Sequence, residues 1–441
     1  VAPYGSDREG SGVDSEGLDP DGAALLTSDA VAPLLTAAVE HGGGTLLRWS
    51  LDHVDNQPHL STTATYTATV RWPFGEREEL LGVSARAGGT TTADHRAVLF
   101  RDGEREVAVW LYPRDPDLPG LERATFPTEM AKILNEHRVV GHPVTPDQVT
   151  LEMIGYRPRR RAVLRCTVRV EQGGRPPWTP DASAPAPQHV VPSVNLYVKV
   201  LRAQNFGEVL QRHELLLAAG VPAPPVAATT HDHLLVLREL TGRPLAQAIF
   251  DPVAPCSGEN LVAVLDAMPV QLVGLKRRPP WSDAVEHYAE IVSGAMPEQA
   301  ARLRWMADLI RQGLAGVPLG NEATHGDFHE GQVFVAGGRV SGILDVDTAG
   351  PGRRADDLAC LVAHLSTVQR MNAQQAARVQ DLLRSWVPVF DRRVDPVELR
   401  LRAAAVIISL ATGPFRGQEP NWRVETLAIL DAAETLIRQV R

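Results

Sequence analysis

Cysteine is scarce in this 441-residue chain: only Cys166, Cys256 and Cys360 occur, far apart and with no CxxC pair. So sparse and odd a set excludes a disulfide framework and predicts reduced thiols, as in the cytoplasm. Aromatic residues are only 5% of the chain, so each Trp outside the core is worth locating. No apolar run approaches the roughly 18 residues of a membrane span, which argues against a membrane partner. Basic charge is in deficit, with 44 Lys and Arg against 53 Asp and Glu, a net charge of -9. A nucleic-acid binder needs a basic surface to displace counterions, so that class is excluded too. No signal-peptide core opens the chain: residues 1–21 are acidic, rich in Gly and Ser, and read as disordered. The absence of an initiator methionine at Val1 is read as processing or trimming. Neither a P-loop pattern nor a dinucleotide fingerprint occurs, which leaves those nucleotide folds unsupported. A cytoplasmic monomer is expected.

What is present is enough apolar sequence for two or three domains: 44% hydrophobic and 22% charged residues. A helix is expected over Ser28–Glu40, with Ser28 as N-cap. Strand-like runs follow at Thr45–His53, Ser61–Trp72, Glu79–Ala87, Ala97–Phe100 and Val107–Tyr112, broken by Gly and Pro. Residues 22–145 are therefore expected to form an N-terminal α+β cap domain. A small lobe is expected over 146–240, with strands at Arg161–Val170, Val194–Leu201 and Leu234–Arg238 and a helix at Phe206–Ala218. Its residues 171–193, rich in Pro, Ala and Gly, read as a flexible insertion in a hairpin. Residues 241–441 are mainly helical by periodicity, interrupted by one β island, Gln332–Val335 and Val340–Asp347. The pattern alone supports α+β with two lobes.

Chemistry concentrates in His325-Gly326-Asp327-Phe328-His329-Glu330-Gly331-Gln332 and in Ile343-Leu344-Asp345-Val346-Asp347. One hairpin separates Asp327 from Asp345 and folds both to the same end of a small sheet. Two carboxylates and the Gln332 amide are hard oxygen ligands of the kind Mg²⁺ takes alongside phosphate and water. The remaining carboxylate is free to orient and deprotonate a hydroxyl, as phosphoryl transfer requires.

This loop and hairpin, with Asp357-Leu358-Ala359 after them, resemble the aminoglycoside phosphotransferase and choline kinase group of the protein-kinase-like superfamily. That group's loop reads H-G-D-x-x-x-x-N. Here position 332 is Gln in place of Asn, which resembles actinobacterial sugar kinases of the maltokinase and glucosamine kinase type. The resemblance covers roughly residues 150–441. It implies a protein-kinase-like two-lobed fold with the cap domain added, ATP and Mg²⁺ as cofactors, and Asp327 as catalytic base. It implies Gln332 and Asp345 as metal ligands, with Asp347 a second metal contact or a polar strand end, and Asp357 bracing the loop. It also implies a lysine on a small-lobe strand and a glutamate on the next helix. Lys199 alternates with apolar neighbours and fits the first; Glu214, on one helical face with Leu210 and Leu217, fits the second. Arg238, Glu239 and Leu240 occupy the interlobe hinge where backbone groups hold adenine. The expected acceptor is a small hydroxylated molecule, glucosamine at its 6-hydroxyl in the first place, with maltose or an aminoglycoside as alternatives.

Weaker signals surround this set. His325 is expected to brace the loop; zinc at His325 and His329 is not expected, because the intervening Gly and following strand argue against a helix. His329 and Glu330 are candidate substrate contacts, and Glu330, Asp347 and Asp356 make the loop's neighbourhood acidic, which would attract an ammonium group. The Arg157, Arg159, Arg160, Arg161 cluster, with Arg165 beyond it, reads as a solvated loop first, with a place near the phosphates as the alternative, since it begins the strand pair above the nucleotide. Near the end, Trp422, with Gln418 or Arg416, is a candidate acceptor contact in a Gly- and Pro-rich break, with a packed inter-helix loop as the alternative. A haloacid-dehalogenase-type phosphatase is rejected, because position 349 is Ala where that motif needs Thr or Val. A catalytically dead kinase fold acting as a binding module is the rival of another class; retention of Lys199, Asp327, Gln332 and Asp345 counts against it.

Overall fold

A computed structural model describes residues 19, 21–87, 96–102, 105–170, 193–367 and 372–440. The expected disordered N-terminus, apart from Asp19 and Asp21, and the expected insertion, apart from Ser193, lie outside the described residues. The chain divides into two compact units, Val1–Tyr112 and Pro113–Arg441.

In the first unit, alternation of β-branched and polar residues produces five strands: β1 Thr45–Gln57, β2 Ser61–Trp72, β3 Gly75–Ala87, β4 Val98–Asp102 and β5 Arg105–Leu111. They form one antiparallel sheet in the order β1-β2-β3-β5-β4. Helix α1 (Ala32–His41) contributes Leu35, Ala38 and Val39 to a core with Tyr66, Val83 and Val107 from the sheet. Ser28 caps the helical segment by accepting from Ala30 N, but its first turn, Asp29–Val31, is 3₁₀.

The second unit opens on another antiparallel sheet, ordered β6-β7-β8-β10-β9. Its strands are β6 Val149–Arg157, β7 Arg161–Arg169, β8 Ser193–Leu201, β9 Val226–Thr229 and β10 Leu234–Arg238. Helix α2 (Ala203–Ala218) follows β8 and buries Val209, Arg212, His213 and Leu216.

The unit boundary falls at Tyr112–Pro113, not at residue 145. The reason is a buried carboxylate. Asp115 accepts from Tyr156 Oη (2.7 Å), Arg159 N (2.7 Å) and Asp117 N (2.8 Å), tying residues 113–117 to the β6–β7 turn. Arg123 is paired with Asp232 at 3.0 Å, which ties the next segment to the β9–β10 turn.

Beyond β10 the unit is mainly helical. Strands β11 (Arg243–Pro244), β13 (Val333–Ala336) and β14 (Arg339–Ile343) form one small sheet, and β12 (Glu322–Thr324) pairs with β15 (Gly350–Gly352). Helices α3 (Arg354–Ser366) and α4 (Pro396–Leu410) share a large core with Phe328, Val333, Ile343 and Trp386. The segment 325–332 therefore sits between a partly buried hairpin and a buried helix. Among the described residues no helix is long and apolar enough to cross a membrane. The architecture is α+β and carries the two-lobed, protein-kinase-like arrangement within Pro113–Arg441.

Candidate active site

The loop between β12 and β13 is held by buried groups at both ends. Asp357, on α3 and fully buried, accepts from His325 N (3.0 Å) and Gly326 N (2.8 Å), and pairs with Arg354 at 3.1 Å. His325 is also buried; its Nε2 lies 2.7 Å from Leu344 O, and its Nδ1 accepts from Asp327 N at 3.3 Å. A carbonyl only accepts, so Nε2 carries the proton and Nδ1 is left to accept. Thr348 Oγ1 donates to His325 O at 2.9 Å. Gly326 has φ +85°, and a Cβ there would stand 2.8 Å from Thr348 O, so a side chain has neither conformation nor room.

At the far end of the hairpin Asp345 adopts φ 50°, ψ 50°, a left-handed conformation that Asp tolerates better than most residues. The strand stops there and the carboxylate turns towards β7 and β8. Lys199 Nζ donates to Asp347 Oδ1 at 2.6 Å and to Asp345 Oδ1 at 3.1 Å. Arg161 Nη1 donates to Asp345 Oδ1 at 2.9 Å and Asp347 Oδ2 at 3.4 Å. Two cations and two carboxylates thus form a formally neutral cluster. Burial works to raise the Asp345 pKa, but Lys199 first and Arg161 second hold it well below the usual carboxylate range. Burial likewise opposes the charge on Lys199, and Asp347 and Asp345 outweigh it, leaving its pKa raised.

Asp327 is half-buried. Cys360 Sγ lies 3.8 Å from its Oδ1 and His329 Nε2 lies 4.0 Å from its Oδ2. His329 stacks on His364 from α3, with ring centroids 4.1 Å apart and planes 10° from parallel. Glu330 Oε2 lies 3.8 Å from His329 Nδ1 and 3.7 Å from His364 Nδ1. Burial lowers the His329 pKa, but Glu330 and Asp327 outweigh it and the net shift is upward. His364 moves the other way, pushed down to about 4 by burial and then by His329. Gln332 Nε2 lies 3.2 Å from His329 Nε2.

The sequence-predicted residues fare unequally. Lys199, Asp345 and Asp347 come together, and His325 and Asp357 brace the loop. Glu214 does not join them. It is exposed on α2, whose inward face is Val209, Arg212, His213 and Leu216, so Lys199 takes its anionic partners from the hairpin instead. Arg161 was grouped with a solvated loop, yet it sits in the charge cluster. Its alternation with buried Ala162 and Leu164 along β7 is the signal that could have placed it beside Lys199. His364 had no sequence signal beyond its place two turns after Asp357. In the hinge, Arg238 Nη2 donates to Val139 O at 3.3 Å, and Glu239 accepts from Asn195 at 3.1 Å and Tyr197 at 3.3 Å. Leu240 packs on Gly342, where an added Cβ would stand 2.7 Å from it. Gln418 and Trp422 make local contacts. The Gln418 amide donates to Phe415 O at 2.7 Å, and Trp422 meets Phe415 edge-on at 5.1 Å while Arg423 covers its ring at 4.7 Å. The acidic surroundings are also changed by structure: Asp347 is paired with Lys199, Asp356 with Arg402, and Glu330 lies between two imidazoles.

Hard-oxygen capacity remains for a cation. Among the described residues, Asp345 Oδ2 receives no hydrogen bond, and Gln332 makes its side-chain contact only through Nε2. These oxygens, and those of the Asp347 carboxylate, are of the hard kind that Mg²⁺ takes.

The family model described as phosphotransferase enzyme family, APH, matches residues 189–394. No curated protein matches the chain. Among solved structures, choline kinase LicA from Streptococcus pneumoniae is similar at 11% identity and TM-score 0.44, over 70% of this chain and 99% of that one. A choline/ethanolamine kinase family protein from Mesorhizobium loti is 18% identical with TM-score 0.39, over 58% and 88% of the two chains. The macrolide 2'-phosphotransferase MphH from Brachybacterium faecium is 17% identical with TM-score 0.37, over 68% and 97%. The match spans β8 with Lys199, the loop 325–332, the hairpin acids and α3 with Asp357. Residues 189–394 therefore match the APH phosphotransferase enzyme family, which supports a kinase-type enzyme.

Proposed function

We propose that this enzyme transfers the γ-phosphate of ATP, with Mg²⁺, to a hydroxyl of a small sugar. The observation that carries the reading is the pairing of Lys199 and Arg161 with Asp345 and Asp347 beside Asp327. The pairing is charge-balanced, so a triphosphate and its cation can replace each half without stranding a charge. Phosphate oxygens take over Lys199 and Arg161, and the carboxylates are released to a cation. Mg²⁺, held by Asp345, Gln332 and Asp347, would offset negative charge on the triphosphate. Backbone groups of Arg238–Leu240 hold the adenine.

Asp327 then accepts the proton of the acceptor hydroxyl. The hydroxyl oxygen forms a bond to the γ-phosphorus as the bond to the β,γ-bridging oxygen breaks, and ADP departs with that electron pair. Lys199 and Arg161 stabilise charge spreading over the transferring group. His329 and Glu330 flank Asp327 and are placed to orient the acceptor. Glucosamine at its 6-hydroxyl is the acceptor to test first, through the Gln332 resemblance; maltose and an aminoglycoside are the alternatives. The paired state of the nearby acids removes the electrostatic reason for preferring an amine. ATP consumption over a panel of sugars and amines, with and without EDTA, tests the reading; no acceptor-dependent, metal-dependent turnover would favour a binding module instead.

A further inference from the structure

Beside the catalytic loop lies a cavity of about 230 Å³ that the site as described leaves unused. Gly326 and Thr348 line it, so the cavity borders the loop that carries Asp327. The lining is also aromatic, through Trp281 and Tyr288, with ring centroids 5.6 Å apart and planes tilted 44°. Asp356 and Arg402 supply a polar floor. Resting on the kinase reading above, we propose that this cavity takes the acceptor, as a single neutral sugar ring laid against Trp281.

Three features select that class. The first is size. Pockets for drug-sized ligands run to about 300–1,000 Å³, so this one admits a single ring but not a whole disaccharide or a three-ring aminoglycoside. The second is the combination of an aromatic wall with a fixed polar floor. A pyranose presents apolar C–H faces and a rim of hydroxyls, which matches aromatic side chains that carry large apolar area. Asp356 is held in place, its Oδ1 accepting from Arg402 Nη1 (2.6 Å) and its Oδ2 from Arg353 N (3.1 Å). A carboxylate has about four acceptor positions, so it can still take sugar hydroxyls. Arg402 is locked in turn by Ser282 Oγ at 2.8 Å and Glu398 Oε1 at 2.7 Å, so the floor needs no rearrangement on binding.

Charge is the third. Asp356 is paired with Arg402 and Arg278 with Glu208 at 3.8 Å, so the lining carries no uncompensated charge of either sign. An ammonium-bearing ligand finds no uncompensated acid there. The lining therefore favours glucose over the glucosamine that the Gln332 resemblance puts first, and both over a polycation.

Saturation-transfer NMR on the full chain without nucleotide tests this, using glucose, glucosamine and maltose as probes. Glucose should bind the wild type more tightly than the other two, and Trp281→Ala should weaken it at least tenfold. Ala284→Trp, which fills the cavity from its rim, should do the same while the melting temperature is retained. Equal glucose binding by the wild type and a folded variant, no glucose binding by the wild type, or a preference for glucosamine overturns the assignment. ADP binding is measured on the same samples. Its absence would sink the kinase reading while leaving the sugar result to stand or fall by itself.

Discussion

Lys199 donates to Asp347 at 2.6 Å, while Glu214, on the helix that follows Lys199, faces away. The lysine's counter-charge thus comes from the hairpin that carries the metal-type ligands, not from α2. Removing one partner from a buried ion pair costs about 3–5 kcal/mol, because the other charge is left uncompensated. Lys199→Met should therefore lower the melting temperature and weaken nucleotide binding at least tenfold by calorimetry. The double variant Lys199→Met/Asp347→Asn should regain much of the stability but not the affinity. Glu214→Ala should leave both within error, since surface changes generally stay within about 0.5 kcal/mol. A loss of nucleotide affinity in Glu214→Ala would restore the helix glutamate to the site.

Asp357 offers a second test, of the loop's architecture. It is fully buried and accepts from two consecutive loop amides and from the Arg354 guanidinium, which is itself 3% exposed. Arg354 also donates to Leu265 O (2.8 Å) and Ala323 O (3.0 Å), linking the loop to two other segments. Asp357→Ala strands two amides and takes away one of the guanidinium's two carboxylate partners, leaving the more exposed Asp266 at 3.3 Å. The expected loss is about 3–5 kcal/mol, read from denaturant unfolding. Destabilisation below about 1 kcal/mol would show that water replaces the carboxylate.

How much of this was legible in advance follows from what each signal depends on. The hairpin acids and Asp327 were readable because their spacing is local: one turn fixes where both ends of the ribbon go. Leu234–Arg238 was placed by an unbroken apolar run, and it is a strand over those same residues. Arg161 and His364 were not readable in the same way, since their roles depend on strands and helices distant in sequence. Leu210 and Leu217, the apolar pair on the Glu214 face, are only half-buried and do not mark the inward face of α2. That face instead carries Arg212 and His213, polar residues that a hydrophobic pattern discards. The boundary at Tyr112 was hidden for a related reason: a single buried Asp115 decides it, and no periodicity announces a buried carboxylate.

His213 gives the fold a pH dependence with a definite sign. Burial first, and the Lys199 charge second, push its pKa down from 6.5 to about 4. The folded state keeps the ring neutral where the unfolded chain would protonate it. Between about pH 4 and 6.5 the unfolded state binds more protons, so this group's contribution is full above 6.5 and is lost as pH falls towards 4. Asp356 acts in the opposite sense, its pKa raised to about 6 by burial against the pull of Arg402. Comparing melting temperatures of the wild type and His213→Gln across pH 4–7 isolates the first effect. The wild type should lose stability faster than the variant on acidification; parallel curves would mean that the ring is protonated in the folded protein.

The chemical role of Asp327 can be separated from its packing. Its carboxylate touches Cys360 Sγ at 3.8 Å, and burial with the nearby acids keeps that thiol protonated, raising its pKa well above the ordinary value. Asn at position 327 preserves the shape and an oxygen for the thiol to meet, but it cannot accept the acceptor's proton. General-base contributions are typically about 10²–10⁴ in rate. Asp327→Asn should lower kcat by at least that lower figure, while Mg-ATP affinity and the melting temperature stay close to wild type. The fall should not be rescued by raising acceptor concentration, because the missing step follows binding. If kcat is largely retained, a different group takes the proton; His329, whose Nε2 lies 4.0 Å from the Asp327 carboxylate, is then the next residue to replace.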